Sequence, residues 1–243
     1  MASIPNPYFG IFNSFVIGTK KLCLEIRKLY RYTLAMKKRV LIFDFDGTIA
    51  DTFATIVMIS NQLAEEFQFR KITMPEAEIM KDNTLKETIS QLNIPILKIP
   101  IIVAKAKNAL FQNIATIAPV IGLKDILIRL NDLDVKMGIL TSNSNQNVDE
   151  FLKNHGLELF DFVTSTSKIW SKDLNLKKMI TSYNFNLNDV IYIGDEARDI
   201  EAARRIGIKS AAVTWGYNSH KALSAEKPDY LLTRPEELLD LLQ

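Results

Sequence analysis

Val40-Leu41-Ile42-Phe43-Asp44-Phe45-Asp46-Gly47-Thr48 is the stretch on which the fold turns. Four consecutive apolar residues suit a strand buried on both faces, and such strands belong to parallel sheets covered by helices. The run stops at Asp44, and Gly47 lets the chain turn sharply just beyond it. Similar runs recur at 135–140, 162–163, 190–193 and 211–213, and Tyr230–Leu232 reads as an edge strand. Between them, 122–133, 145–154 and 200–206 carry apolar residues at helical spacing, with Gly156 and Gly207 where C-terminal caps belong. Strands alternating with helices predict an α/β fold, a doubly wound parallel sheet with helices on both faces.

One stretch breaks the alternation. Residues 52–118 show helical patterns and no convincing strand. Ile56, Ile59, Leu63 and Phe67 mark one helix. Two more are expected over 79–92 and 101–114, with Pro75, Pro95 and Pro100 as boundaries. The expected organisation is therefore an α/β core of 37–51 and 119–243, and a small all-helical domain of 52–118 inserted after the first strand. That insert is placed over the carboxyl edge of the sheet, where open parallel sheets bind ligands.

The first 36 residues read differently. Pro5, Pro7, Gly10 and Gly18 punctuate them, and the apolar stretch from Ile11 to Ile17 lacks the basic flank of a secretory signal. Leu22, Ile26, Leu29 and Thr33 fall at helical spacing among Lys20, Lys21, Arg27, Lys28 and Arg31, the pattern of a basic interfacial helix. The plainer expectation is a poorly ordered leader, or an upstream extension of a chain that starts at Met36.

Composition narrows the function classes. The chain has 243 residues, 47% hydrophobic and 24% charged, which is ordinary for a soluble globular protein. A net charge of +2 is too small to point to nucleic acid. No apolar run reaches the ~20 residues that cross a bilayer. A single cysteine, Cys23, excludes an intramolecular disulfide framework and fits a reducing, cytoplasmic setting. Two histidines, His155 and His220, are too few for a histidine-rich metal site.

The chemistry-bearing residues fall at strand ends. Asp44 and Asp46 leave the first strand toward the same side. Their mutual repulsion calls for a cation or a shared proton, and magnesium is the natural partner of hard oxygen ligands. Read alone, the pair is also a polar exit from a strand into a turn. Gly194-Asp195-Glu196-Ala197-Arg198-Asp199 follows the run at 190–193. If a helix starts at Asp195, Asp195 and Asp199 lie one turn apart and reach one point; the simpler role for Asp195 is a helix cap. Two strand ends with paired acids together describe a carboxylate-rich pocket. Thr141-Ser142-Asn143 offers a hydroxyl and backbone amides able to hold phosphoryl oxygens, or forms a plain turn. Phosphate needs further positive charge, which Lys168 or Lys172 supplies from the interval between the third and fourth strands.

These four pieces, in this order, resemble the haloacid dehalogenase superfamily, a Rossmann-like fold with a small helical cap, and within it the phosphoglycolate-phosphatase-like members. The resemblance covers Lys37 to the C-terminus. It implies that Asp44 is a nucleophile forming an aspartyl-phosphate, and that Asp46 protonates the leaving oxygen and then activates water. It implies a magnesium ion held by Asp44, the backbone carbonyl of Asp46, and Asp195, with Asp199 in support. Thr141, Ser142, Asn143 and a lysine would bind the phosphoryl group of a small phosphorylated metabolite. Lys172 is favoured over Lys168 because it stands just ahead of a helix expected from Leu174. The text around it, Trp170-Ser171-Lys172-Asp173, departs from the Gly-Lys-Pro usual in those members. Dehalogenation has no use for an acid at Asp46. A phosphomutase keeps that acid, and a non-catalytic phosphate-binding regulator is the alternative outside enzymes.

Overall fold

The structure, a computed structural model, describes residues 39–166 and 172–243. The leader of 1–36 and Lys168 lie outside the described residues. Six strands form one parallel sheet: β1 (Val40–Phe43), β2 (Lys136–Thr141), β3 (Phe162–Ser165), β4 (Val190–Gly194), β5 (Lys209–Val213) and β6 (Tyr230–Leu232), in the order β3-β2-β1-β4-β5-β6. Every residue of β1 and β4 is buried, as the unbroken apolar runs require. The chain steps outward from β1 to β2 and β3, then crosses back to β4 on the other side. The connections therefore diverge at β1, and a crevice is left at its carboxyl end.

Between β1 and β2 lie α1 (Phe53–Phe67), α2 (Met74–Met80), α3 (Leu85–Gln91) and α4 (Ile99–Asn113). Helix α1 turns Ile59, Leu63 and Phe67 inward at four-residue spacing. The single helix expected over 79–92 is instead two. Helix α2 stops at Met80, and α3 starts at Leu85 behind a capping box in which Thr84 and Glu87 satisfy each other's backbone amides. The same Thr-x-x-Glu device, Thr73 with Glu76, opens α2. Helix α4 starts at Ile99, two residues earlier than expected, because Pro100 fits a first turn where its missing N–H costs nothing. The two ends of the insert pass each other where Ala50 bridges Pro119, with Asp51 N donating to Ala118 O at 2.9 Å.

The remaining helices are α5 (Leu123–Asp132), α6 (Asn145–His155), α7 (Lys172–Ser182), α8 (Ala197–Ile206) and α9 (His220–Ala225). Leu176, Met179 and Ile180 of α7 join Ala202 and Ala203 of α8 against Ile42, Leu140 and Tyr192 of the sheet. Helix α8 starts at Ala197 with Glu196 as its cap, so Asp195 lies ahead of the helix rather than on it.

Candidate active site

The carboxyl ends of β1, β2 and β4 bring the candidate groups together. Asp44 follows β1 and is held there by its backbone N–H, which donates to Ile193 O of β4 at 2.8 Å. Its Oδ1 accepts from Phe45 N at 2.8 Å, and its Oδ2 accepts from Lys172 Nζ at 2.5 Å. Lys172 is the first residue of α7 and is buried; it also donates to Asp199 Oδ1. Burial works against the charge of this lysine, but Asp199 and Asp44 outweigh it and raise its pKa. Burial pushes the Asp44 carboxyl up to about 6, with Lys172 pulling the other way.

Asp46 stands half-buried two residues on, with Asn143 Nδ2 at 3.3 Å from each of its oxygens. Burial, then the charge of Asp44, raise its pKa to about 7. Asn143 is itself fixed, its Oδ1 accepting from Asn147 Nδ2 at 2.7 Å and from Ser144 N at 2.9 Å. Thr141 is fully buried at the end of β2, and its Oγ1 accepts from Asn143 N at 2.9 Å. Ser142 lines the pocket beside Asn143.

Asp195 is placed differently from Asp44 and Asp199. Its Oδ1 accepts from Thr48 Oγ1 and its Oδ2 from Tyr217 N, both at 2.7 Å. Burial and the nearby acids, Glu196 first among them, raise its pKa well above the usual range. Two glycines make room for it. A Cβ on Gly47, which has φ +76°, or on Gly216 would collide with Asp195 Oδ2. Gly216, Tyr217 and Glu196 belong to the site, and the sequence reading passed them over. Gly216 and Tyr217 follow β5, at the carboxyl edge that holds the other groups, which is the one signal that could have drawn attention to them.

Carboxylate oxygens of Asp44, Glu196 and Asp199 lie within 4.8 Å of one another. An all-oxygen set at that spacing fits a hard divalent cation such as magnesium. Glu196 is paired with Arg198, whose Nε and Nη1 are buried without a protein partner.

The insert closes the site from above. Lys81 O accepts from Ser219 N at 3.0 Å and from Asn218 Nδ2 at 3.1 Å, and Asp82 pairs with Lys221 at 2.8 Å. Phe53 meets Tyr217 edge to face, and Thr52 Oγ1 lies 2.7 Å from Tyr217 OH. The resulting pocket is walled by residues of both the insert and the sheet edge, Asp44 and Asp46 included. A buried carboxylate beside a buried lysine, with a second carboxyl of raised pKa within reach, is equipped for nucleophilic attack and proton transfer on an anionic group.

A phosphoglycolate phosphatase of Synechococcus elongatus is 33% identical over 202 residues, 83% of this chain and 95% of that protein. A pyrophosphatase of Bacillus mycoides is 23% identical over 216 residues, 85% of this chain and 98% of that protein. Among solved structures, a haloacid dehalogenase-like family protein from Streptococcus pneumoniae superposes with a TM-score of 0.71 at 20% identity, covering 85% of this chain and 99% of that one. The family model for haloacid dehalogenase-like hydrolases matches residues 41–213, the span from Leu41 in β1 to the end of β5 that carries Asp44, Asp46, Thr141, Lys172, Asp195, Glu196 and Asp199, and the chain belongs to that family.

Proposed function

We propose that the chain is a magnesium-dependent phosphatase of small phosphorylated metabolites, working through an aspartyl-phosphate on Asp44. The observation that carries this reading is Asp44 itself: a buried carboxylate at the end of β1, facing Lys172 and opening onto the pocket that also holds Asp46. An Asp44 oxygen attacks phosphorus, and the ester P–O bond breaks. Asp46, whose raised pKa keeps a proton available near neutrality, gives that proton to the departing alkoxide. Water then attacks the acyl phosphate, Asp46 takes up its proton, and inorganic phosphate leaves. Lys172 offsets charge on the transferring oxygens, and Thr141, Ser142 and Asn143 orient them.

Asp44, Glu196 and Asp199, with Asp195 and the backbone carbonyl of Asp46, are the groups that would hold magnesium. When bound, the ion supplies positive charge to the phosphoryl oxygens. The helices of 52–118 act as the cap that excludes water from the reacting centre. No helix among the described residues is long and apolar enough to cross a membrane, and with a single cysteine in the chain we place the enzyme in the cytoplasm.

Released phosphate should be measured across a panel of phosphorylated metabolites, phosphoglycolate included, for the wild type and for Asp44→Asn. Turnover that vanishes in the variant supports the reading. Normal turnover by Asp44→Asn would remove the covalent mechanism.

A further inference from the structure

The pocket above Asp44 and Asp46 is much larger than a phosphoryl group, and its upper walls are hydrocarbon. Its volume is ≈ 360 Å³, within the range that encloses whole drug-sized ligands. It is lined by Ile56 and Val57 of α1, Met80 of α2, and Val103, Ala106 and Leu110 of α4. Ile56, Met80 and Val103 are only partly buried. A helical insert that served solely as a lid would pack such side chains against one another. Here they face an open volume continuous with the two aspartates.

Polar groups on these upper walls are few, and several are already engaged. Asn83 donates to Gln91 Oε1 at 3.0 Å, and Lys81 lies over the Phe53 ring at 4.0 Å while pairing with Glu78. Lys107 of α4 also lines the pocket, where burial lowers its pKa and the charge of Asp46 pulls the other way, and Arg198 lines it at the sheet edge. Resting on the phosphatase reading above, we infer that the hydrocarbon walls take the alcohol part of the substrate: the enzyme acts on phosphomonoesters of apolar alcohols.

A two-carbon acid such as glycolate leaves most of this volume unfilled and gains little from the aliphatic walls. An alkyl tail removes its own apolar surface, and that of the walls, from water. The cap then selects by burying hydrocarbon, while Lys172 and the strand-end residues hold the phosphoryl group common to all substrates.

The test is a homologous series. Measure kcat/KM for methyl, butyl and hexyl phosphate and for phosphoglycolate at saturating magnesium, and measure binding of the same four compounds to Asp44→Asn by calorimetry. Each added methylene should raise kcat/KM about fourfold until the pocket is filled, affinity should rise in the same order, and phosphoglycolate should rank with methyl phosphate. Val103→Phe, which fills part of the hydrocarbon wall, should cut the hexyl-to-methyl ratio about tenfold. A flat or falling series, or phosphoglycolate above hexyl phosphate, overturns the assignment. Rising affinity without turnover of any compound supports the pocket assignment and sinks the phosphatase reading. Neither binding nor turnover of any compound sinks both.

Discussion

Lys172 Nζ bridges two carboxylates, one from the end of β1 and one from the first turn of α8, donating to Asp44 Oδ2 at 2.5 Å and to Asp199 Oδ1. All three side chains are buried. A lysine drawn into the interior by two acids keeps its charge at neutral pH, because the acids more than compensate the burial that opposes it. It therefore offers a fixed positive charge at the atom proposed to attack phosphorus. Lys172→Ala should lower kcat/KM by about 10²–10³, and Lys168→Ala should stay near wild type at saturating magnesium. The reverse outcome would move the phosphate-binding role to Lys168.

Much of this site is legible in the sequence because strand ends are. An apolar run that stops at a polar residue fixes where a side chain emerges, and Asp44, Thr141 and Asp195 all emerge at one edge for that reason. What the sequence hides is direction. Asp195 and Asp199, four residues apart, read as a pair converging on one point. The chain turns between them, so Asp195 faces Thr48 and Tyr217 while Asp199 faces Lys172. Glu196 has no assigned role in the sequence, and its place as the cap of α8 sets it beside Asp44 and Asp199. Apolar spacing likewise ran across the break between α2 and α3. Thr84 and Glu87 carried the contrary signal, a capping box in the middle of an apolar pattern.

The acid cluster gives a metal prediction that separates its members. EDTA should abolish turnover and magnesium should restore it, whereas calcium, with its looser and larger coordination, should restore little. Glu196→Gln and Asp199→Asn should each raise the magnesium concentration for half-maximal rate about 10–100-fold. Titrating activity with magnesium for the three proteins checks this. A Glu196→Gln curve that overlays the wild type would place Glu196 outside the metal's reach.

Gly216 offers a test of packing around Asp195. A methyl group there meets the Asp195 carboxylate directly, with both of its oxygens already engaged by Thr48 and the Tyr217 amide. Gly216→Ala should cost about 1–3 kcal/mol of stability through overpacking and should also depress kcat by shifting Asp195. Chemical denaturation and a rate assay on the same preparation report the two effects. Unaltered stability and rate together would mean that this loop yields freely.

Asp46 sets activity against stability in a pH-dependent way. Its pKa is raised from 3.8 to about 7, by burial first and then by Asp44. A carboxyl raised in the folded state favours folding while it is protonated. That contribution is fully present below the unfolded value and is lost as pH climbs from about 4 to about 7. At pH 8 the folded protein therefore carries an ionised, partly desolvated acid next to another acid, and Asn in its place removes the penalty. One pKa unit corresponds to about 1.4 kcal/mol, and partial exposure screens part of the shift, so about 1–2 kcal/mol is expected. In chelator-treated protein, Asp46→Asn should therefore raise Tm at pH 8 by about 2–8 °C. At pH 5, where wild-type Asp46 is protonated when folded and the loss that begins near pH 4 is incomplete, the difference should be smaller. The same substitution removes the proton donor and acceptor, and kcat should fall about 10²–10⁴-fold. Asp44 titrates in both proteins and largely cancels from the comparison. The measurement is a pair of melting curves at each pH, with rates taken alongside. A Tm difference that is negative at pH 8, or that does not change between pH 5 and pH 8, would show that Asp46 is not held against its ionisation.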